Sequence, residues 1–380
     1  MKIVPASVDH KLLFMLMALM GIGLVLVFSA SSSTSLEHYQ DKFYLVKRQL
    51  RGIGLGLFVM VVLLGVDYHR LRSLSVPGLL VTFGLLVLVL VPGVGRTVNG
   101  ATRWIVLWGL IQIQPAEIAK LAIILYLADT LSKNYKKRDS FKDHLLPNLI
   151  LIAGTAFLIV KQKSLSSATL VASTGFLMMI VAHSNFGHIV STCLIGVTSV
   201  AALIYAEPYR VRRLIAFADP WSDPGGAGYQ IIQSLMALGS GGLFGVGIGQ
   251  GLQKLKHLPF VSTDFIFAVV GEEMGLAGSL VVVGLFLGVL WRGIQISLRA
   301  PDLFGMFLAF GITIEICLQA LLNMAVVMGL VPTTGIPLPF ISYGGSSMLF
   351  SLASVGILLN VSRAAETDSL SRMSRRWSHS

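Results

Sequence analysis

The sequence predicts an all-α integral membrane protein with about ten transmembrane helices, because of its composition and the spacing of its apolar runs. Of the 380 residues, 54% are hydrophobic and 12% are charged, and the mean hydropathy is +0.79. A soluble domain averages about a quarter charged residues, and burying this much apolar surface without lipid would need a very large core. The apolar residues also cluster in runs near the length of about 20 residues with which a helix crosses a bilayer.

Ten of these runs are the predicted spans. The first, Leu12–Ala30, is long enough to cross the hydrocarbon core, so we expect a retained helix rather than a cleaved signal peptide. Several others are near the short limit, so their helices should extend a few residues beyond the apolar runs. The nine further spans are Gly52–Val66, Val76–Val91, Ala116–Leu131, Leu145–Val160, Ala168–Ala182, Ile189–Ala206, Phe265–Val289, Met306–Met328 and Ser346–Leu359.

Basic residues in the short loops predict the orientation, because Lys and Arg are enriched in cytoplasmic loops. The segment Ser132–His144 contains five of them, and the chain after Leu359 contains four arginines. Both segments lie on the side of the N-terminus, so both termini are predicted to be cytoplasmic. The large segment Glu207–Thr263, which includes the amphipathic stretch Gln230–Leu238, is then extracytoplasmic, and it is too long to be a mere connection.

The composition also excludes some classes of function. The net charge is +11, but the basic residues lie in short segments between apolar runs, which favours contact with anionic lipid over nucleic acid. The two cysteines, Cys193 and Cys317, lie inside apolar stretches, so neither a disulfide framework nor a cysteine metal site is expected. Residues 1–363 are predicted to form one membrane domain, and the polar, basic tail 364–380 is predicted to be disordered.

Ionisable residues inside predicted spans are functional candidates, since a charge in hydrocarbon is costly. Glu117 and Lys120 lie three residues apart on one face of the fourth helix. They either form a pair that locks the helix into the bundle or face a polar cavity, where Lys120 could reach a phosphate. On the ninth helix Glu315, Gln319 and Asn323 recur every four residues, and interhelical hydrogen bonding explains this polar stripe without any substrate.

Three acidic residues, Asp264, Glu272 and Glu273, lie where the long loop enters the eighth helix. Asp264 at the helix start fits either an N-cap or a base that takes a proton from a substrate hydroxyl at the membrane surface. Glu272 lies about 12 Å deeper at 1.5 Å per residue, so these carboxylates cannot form one dyad. We expect supporting roles for Glu272 and Glu273, hydrogen-bonded inside the bundle.

The segment Pro332–Ser347 carries three prolines and three glycines at the membrane edge. Irregular backbone at this depth is tolerated only against protein or a water-filled cavity. Its N–H groups and hydroxyls, Ser342 and Ser346 among them, either cradle an anion or belong to a plain re-entrant loop. Composition and spacing thus support a polar cavity at the outer face, and they leave a transporter and an enzyme equally open.

Different short motifs in these same segments follow one another along nearly the whole chain, from about Phe28 to Arg363. They include Asn99-Gly-Ala-Thr-Arg-Trp-Ile, Gln114-Pro-Ala-Glu-Ile-Ala-Lys, Asp219-Pro-Trp-Ser-Asp-Pro, Thr263-Asp-Phe-Ile-Phe and Leu338-Pro-Phe-Ile-Ser-Tyr-Gly-Gly-Ser-Ser. No single motif is decisive, but together they resemble the SEDS family (shape, elongation, division and sporulation), whose best-known members are FtsW and RodA.

This resemblance implies a ten-helix peptidoglycan glycosyltransferase of the bacterial inner membrane that polymerises lipid II at the outer face and releases polyprenyl pyrophosphate. It also implies a class B penicillin-binding protein as the transpeptidase partner, together with other membrane proteins of the division complex. Arg210-Val-Arg-Arg-Leu, Gly271-Glu-Glu and Gly356-Ile-Leu-Leu-Asn-Val-Ser-Arg favour the FtsW type, which acts at the division septum, over the RodA elongation type. A lipid II flippase and a scaffold that only recruits a penicillin-binding protein remain as alternatives.

The resemblance also suggests roles for individual residues. Asp264 matches the family's proposed catalytic aspartate, and Arg48, Arg103 and Lys120 are candidates for stabilising the departing pyrophosphate. A divalent cation, Mg²⁺ or Mn²⁺, is a candidate cofactor, and the sequence contains no recognisable cluster of metal ligands. The chain departs from the family pattern at Ser164, where an acidic residue is usual, so no role of that acid can be carried over.

Overall fold

A computed structural model describes residues 8–98, 100–107, 111–182, 185–253 and 260–377. In these ranges the regular structure consists of α-helices and one small sheet, besides short 3₁₀ and π turns. The helices are α1 (His10–Tyr39), α2 (Tyr44–Gly65), α3 (Tyr68–Leu71), α4 (Ser75–Leu88), α5 (Pro115–Lys133), α6 (Leu146–Lys161), α7 (Leu165–Val181), α8 (Phe186–Tyr205), α9 (Pro208–Ala218), α10 (Tyr229–Ser240), α11 (Ile266–Arg299), α12 (Leu303–Val327) and α13 (Gly345–Trp377). The strands are β1 (Gly95–Val98), β2 (Ala101–Leu107) and β3 (Ile111–Ile113).

Each of the ten predicted spans falls on its own α-helix. Among the described residues, eight helical segments are long and apolar enough to cross a membrane. The predicted spans outside this set are α5, which carries four charged residues, and α7, which is short. The mostly helical, multi-pass membrane architecture is therefore confirmed, whereas the exact number of spans stays a prediction.

The sheet between α4 and α5 corrects the expectation of a purely helical chain. Its three strands pair antiparallel in the order β1-β2-β3, and Val98 lies opposite Ala101 across the first turn. Strand β2 is rich in β-branched and aromatic residues, which favour strands, and the sequence Asn99-Gly100 is the two-residue combination preferred in hairpin turns. The sequence therefore carries a local strand signal, which lies between two apolar runs that predict helices.

The C-terminal tail also differs from the prediction. Helix α13 continues to Trp377, so residues 364–377 are helical in the structure rather than disordered. Extending an existing helix avoids the unfavourable nucleation step, and the tail lacks the Pro and Gly residues that would end it.

Helix α12 lies at the centre of the bundle and packs against α5, α7, α11 and α13. Helices α2 and α13 approach each other closely at glycines: a Cβ added at Gly356 would lie 2.6 Å from the Met60 carbonyl oxygen. Small residues permit this close backbone contact between membrane helices. Helix α8 is the exception in the bundle, because none of its residues is buried and its main contact is with α9.

The long segment between α8 and α11 contains α9 and α10. The amphipathic stretch predicted at Gln230–Leu238 forms most of α10, which packs on α11. Helix α11 is interrupted at Gly275, where φ is +67°, a conformation that glycine adopts readily. At this interruption the backbone of the loop after α10 forms hydrogen bonds with α11, for example Leu276 N–H to the Gly242 carbonyl at 2.9 Å.

Candidate active site

A cavity of about 1210 Å³ opens among α2, β2, α8, α9, the Pro332–Ser347 segment and the start of α13. Six basic side chains and two acidic ones line it, so the lining has an excess of positive charge. Clefts lined by one sign of charge concentrate ligands of the opposite sign. The basic residues are Arg48, Arg51, Arg103, Lys163, Arg210 and Arg213, and the acidic residues are Glu207 and Asp264.

Asp264 lies in this cavity at the end of a turn, and it does not cap the helix that follows. Helix α11 begins at Ile266 with Phe265 as its N-cap residue, and no side chain caps its first turn. The Asp264 carboxylate instead lies against Gly335: a Cβ added there would be 3.5 Å from Asp264 Oδ2 and 3.9 Å from Arg103 Nη1. Of the two interpretations of Asp264, an N-cap or a base, the structure therefore excludes the N-cap.

The surroundings of Asp264 favour a proton acceptor. Burial raises the pKa of its carboxyl to about 6, while a hydrogen bond from Thr263 and the charges of Arg103 and Arg213 act to lower it. Near neutral pH the group is mostly ionised, yet it binds a proton more readily than an ordinary aspartate. A pKa near the working pH is what a general base requires.

Hydrogen bonds from the polar stripe of α12 hold Asp264 in place. Asn323 Nδ2 donates to the carbonyl of Asp264 at 2.7 Å and to that of Ile336 at 2.8 Å. Gln319 Nε2 donates to the carbonyl of Pro337 at 2.8 Å. The stripe thus joins the turn that carries Asp264 to the proline-rich segment opposite it.

Ser342 does not line the cavity, and its hydroxyl instead helps to hold the backbone near Asp264 in place. Its hydroxyl donates to the Thr263 carbonyl at 2.5 Å and accepts from the Leu338 N–H at 2.8 Å. The Tyr343 N–H donates to the Ser262 carbonyl at 2.8 Å in the same region. Ser342 therefore orients the segment, whereas the sequence predicted that it binds an anion.

Lys120 does not line the cavity, so it does not have the position that the predicted contact with a pyrophosphate requires. It is buried behind the site, with its ammonium 2.9 Å from Glu117, 3.0 Å from Glu315 and 2.5 Å from Gln319 Oε1. An ammonium held by two carboxylates and an amide cannot reach a pyrophosphate. Of the two interpretations of the Glu117–Lys120 pair, the structure favours the one that locks the helices together.

The remaining predicted residues divide between the cavity and its support. Arg48, Arg103 and Ser346 line the cavity, although the Ser346 hydroxyl also donates to the Gln112 carbonyl at 2.5 Å. Ser164 lies on the wall as well, with its hydroxyl 2.9 Å from that of Ser167.

Glu272 and Glu273 are absent from the cavity lining. Glu272 accepts from the Leu252 N–H at 2.7 Å, and Glu273 accepts from the Ser29 hydroxyl at 2.6 Å and the Gly249 N–H at 3.1 Å. Both carboxylates therefore fix the loop that follows α10.

Sequence reasoning missed Arg213 and Arg51 as members of the site. Arg213 Nη1 donates to the Thr333 carbonyl at 3.1 Å and acts electrostatically on Asp264. Its signal was the Arg210-Val-Arg-Arg run at the start of the outer segment, which sequence reasoning used only to choose between subfamilies.

The described part of the chain was searched for a site that could hold a metal ion. Among the side chains that the structure describes, no three of His, Cys, Asp and Glu lie together as metal ligands. Mg²⁺ is usually bound through one or two carboxylates together with substrate phosphates. A divalent cation, Mg²⁺ or Mn²⁺, as a cofactor therefore stays a prediction.

Comparison with known sequences shows the family. Residues 10–367 match the FtsW/RodA/SpoVE family, described as cell cycle proteins. Stage V sporulation protein E of Bacillus subtilis (strain 168) is 44% identical over 357 residues, which cover 94% of this chain and 97% of that protein. The probable peptidoglycan glycosyltransferase FtsW of Geobacter sp. (strain M18) is 44% identical over 354 residues, which cover 93% of this chain and 96% of that protein.

Solved structures agree. A chain from a peptidoglycan synthase complex that coordinates polymerization and crosslinking superposes with a TM-score of 0.79 at 31% identity, covering 94% of this chain and 98% of that one. The rod shape determining protein RodA of Thermus thermophilus superposes with a TM-score of 0.70 at 30% identity, covering 94% of this chain and 97% of that one. The fold and cavity define a multi-pass membrane protein with an outer cavity whose charged lining is mainly basic. This chain belongs to the FtsW/RodA/SpoVE family.

Proposed function

We propose that this protein is a peptidoglycan glycosyltransferase that joins lipid II disaccharides into glycan strands at the outer face of the bacterial inner membrane. The observation that carries the proposal is one carboxylate, Asp264, near two arginines in a cavity whose charged lining residues are mostly basic. Membership of the family and the names of the FtsW relatives support the same activity.

In the proposed reaction, the 4-hydroxyl of one disaccharide attacks the anomeric carbon of another. A new carbon–oxygen bond forms, the bond to the diphosphate oxygen breaks with inversion, and its electron pair leaves with the polyprenyl diphosphate. Asp264 takes the proton of the attacking hydroxyl, which raises the nucleophilicity of its oxygen as the bond forms.

The cations beside Asp264 act on the leaving group. Negative charge concentrates on the diphosphate as the bond breaks, so fixed cations stabilise the transition state more than the ground state. Arg103 and Arg213 are the cations that act electrostatically on Asp264. Because Arg103 also donates to the backbone carbonyls of Gln162 and Lys163, its guanidinium is positioned before substrate binds and needs little reorganisation.

The proposal extends to a partner and a location. The synthase complex among the solved structures supports a class B penicillin-binding protein as the partner that crosslinks the new strand. The resemblance to the FtsW type leads us to propose a role at the division septum. The basic segment Ser132–His144 leads us to propose that both termini lie in the cytoplasm. Cysteines introduced singly into a cysteine-free chain test this topology: an impermeant reagent should label position 225 and not position 135 in intact cells, and the reverse would overturn it.

One assay separates this function from its alternatives. Purified protein in liposomes, supplied with lipid II, should produce glycan polymer that a muramidase degrades. Movement of lipid II between leaflets without polymer would show a flippase instead. Neither product, in the presence of the partner, would leave only a recruiting role.

A further inference from the structure

The segment that follows α10 presents an apolar surface away from the cavity. Glycines and apolar residues are interspersed along residues 241–252. The apolar side chains are exposed: Phe244 is 84% exposed and Leu252 is 68% exposed. A contiguous exposed apolar patch marks a contact with lipid or with another protein. This surface, which we call the loop patch, consists of Leu243, Phe244, Val246, Ile248 and Leu252.

Glycines of the same segment lie against α11. A Cβ added at Gly245 would overlap the carbonyl group of Glu273, and one added at Gly251 would lie 2.8 Å from Glu272 Oε2. Glycine has no Cβ, so it permits this close approach of one backbone to another. The segment therefore has two faces: its glycines pack on α11, and its apolar side chains are left exposed.

The protein itself satisfies most of the backbone N–H groups of this segment. Seven of the nine N–H groups from Gly245 to Gln253 donate to acceptors within the chain. Three of the seven donate to the buried carboxylates of Glu272 and Glu273, and two more donate to the backbone carbonyls of the same two residues. Water would satisfy a solvated loop, whereas backbone inside a bilayer must find its partners within the protein.

Two contacts between α1 and α11 give the depth of the segment in the bilayer. The Glu273 carboxylate accepts from the Ser29 hydroxyl at 2.6 Å, and Arg292 Nε donates to Asp9, which precedes α1, at 3.1 Å. At 1.5 Å per residue these contacts lie about 30 Å apart along α1 and about 28 Å apart along α11, close to the hydrocarbon thickness of about 30 Å. Six of the seven residues 29–35 are Ser or Thr, so α1 also becomes polar at this level. Glu273 therefore lies near one boundary of the hydrocarbon and Arg292 near the other.

The tip of the segment lies inside the boundary at Glu273. The Leu276 N–H donates to the Gly242 carbonyl at 2.9 Å, and the N–H of the next residue of α11 donates to the Leu243 carbonyl at 3.0 Å. These donors lie three and four residues beyond Glu273 toward the bilayer interior, which is about 5 Å deeper. On α11 itself Leu276 and Leu280 are 52% and 59% exposed. The loop patch and the exposed face of α11 thus lie at neighbouring levels of the hydrocarbon.

We propose that the loop patch is inserted into the leaflet on the side of Asp264 and is covered by lipid acyl chains. An interfacial segment buries its apolar face about 5–10 Å into the boundary between headgroups and acyl chains, which is the depth of the loop patch. A partner helix would need ridges and grooves to pack against, and the glycines that could admit one closely face α11 instead. Lipid chains cover an irregular apolar surface without such a match. Part of the predicted extracytoplasmic segment Glu207–Thr263 is thus an anchor in the membrane.

Spin labelling of the full-length protein in lipid nanodiscs tests this placement. A single nitroxide is attached to Phe244→Cys in a chain whose two native cysteines are replaced by alanine. Its collisions with molecular oxygen, which concentrates in the bilayer, should exceed those with a water-soluble nickel chelate. The matched control is Gly225→Cys, in the same outer segment, where the backbone is exposed and an added Cβ would meet open space. There collisions with the nickel chelate should dominate. Leu280→Cys, on the exposed face of α11, should be deeper in the bilayer than Phe244→Cys.

Two results would overturn the inference. Collisions with the nickel chelate as frequent at position 244 as at position 225 would place the loop patch in water. A protein occupant is tested by adding a purified class B penicillin-binding protein to the nanodiscs, which should leave the spectrum of the label at position 244 unchanged. Immobilisation of that label with a loss of oxygen collisions would show that the loop patch docks a protein. Thermal melting identifies a labelled chain that fails to fold, and Ile248→Cys, also at an exposed side chain, then takes the place of Phe244→Cys with the same expected result.

Discussion

Replacing Asp264 by asparagine should separate catalysis from stability. The carboxyl is raised from its ordinary pKa of 3.8 to about 6, so the folded protein binds that proton more tightly than the unfolded chain does. Above pH 6 the ionised carboxylate therefore opposes folding, by roughly 2–3 kcal/mol at 1.36 kcal/mol per pKa unit. Asparagine removes this cost, and no helix cap is lost, because Asp264 caps none.

The same change should nearly abolish polymerisation. An amide cannot accept the hydroxyl proton, and loss of a general base typically costs on the order of 10²–10⁴-fold in rate, or about 3–5 kcal/mol of transition-state stabilisation. Asp264→Asn should thus melt at the same or a higher temperature than the unmodified protein and make almost no glycan from lipid II.

Polymer yield from purified protein and thermal melting in detergent are the two measurements. Asp219→Asn is the matched control, since Asp219 lies in the outer segment but does not line the cavity, and its capping bond to Trp221 survives as asparagine. Near-normal polymer from Asp264→Asn would refute the assignment of the base. A clear loss of thermal stability would refute the argument from burial.

Three further predictions follow from the same contacts. Because Asp264 must be ionised to act, kcat/KM should rise as pH increases through about 6 and level off above it, and the residual rate of Asp264→Asn should lack this inflection; a flat profile for the unmodified protein would contradict the mechanism. Lys120→Met leaves two buried carboxylates without their cation, so it should cost about 3–5 kcal/mol in the free energy of unfolding. The control is Lys133→Met: Lys133 is half-exposed, and its partner Asp129 keeps a second cation, Arg72. This change should lower the free energy of unfolding by less than about 1 kcal/mol. Equal losses of stability in the two variants would exclude the buried network as the cause. Ser164→Ala should leave polymer yield within a few-fold, because its hydroxyl contacts only Ser167 among the described residues, and a tenfold loss would show a direct role.

Hydrophobic runs predicted the helices well, because the length and apolarity of a span are local properties of the sequence. Arg48 and Arg103, which the resemblance to the family suggested, line the cavity. Local reasoning offered Asp264 as a base at the start of a helix, and Asp264 lines the cavity too. It failed for Lys120 and Ser342, since the direction of a side chain depends on helices far away in the chain. Lys120 meets Glu315, and Ser342 meets Thr263, contacts that no local pattern specifies.

The sheet and Arg213 were missed for different physical reasons. Strand β2 shows no clear alternation of apolar and polar residues, because its second half, Trp104-Ile-Val-Leu, is wholly apolar. Its signal is therefore weak beside the strong helical runs around it. Arg213 lies in a basic run of an outer segment, where a charge is normally solvated. Only the folded chain shows that it turns inward, onto the Thr333 carbonyl.

The close contact of Gly356 with Met60 couples the position of α13 to that of α2. Gly356 lies 11 residues beyond Gly345, or about 16 Å along the helix. A larger side chain there would push α13 away from α2, and a stiff helix carries such a displacement along its length. The first turn of α13 would then shift relative to Arg48 and Arg51, which lie on α2. Substitutions in the half of the membrane away from the cavity can thus alter substrate binding while every residue on its wall is unchanged.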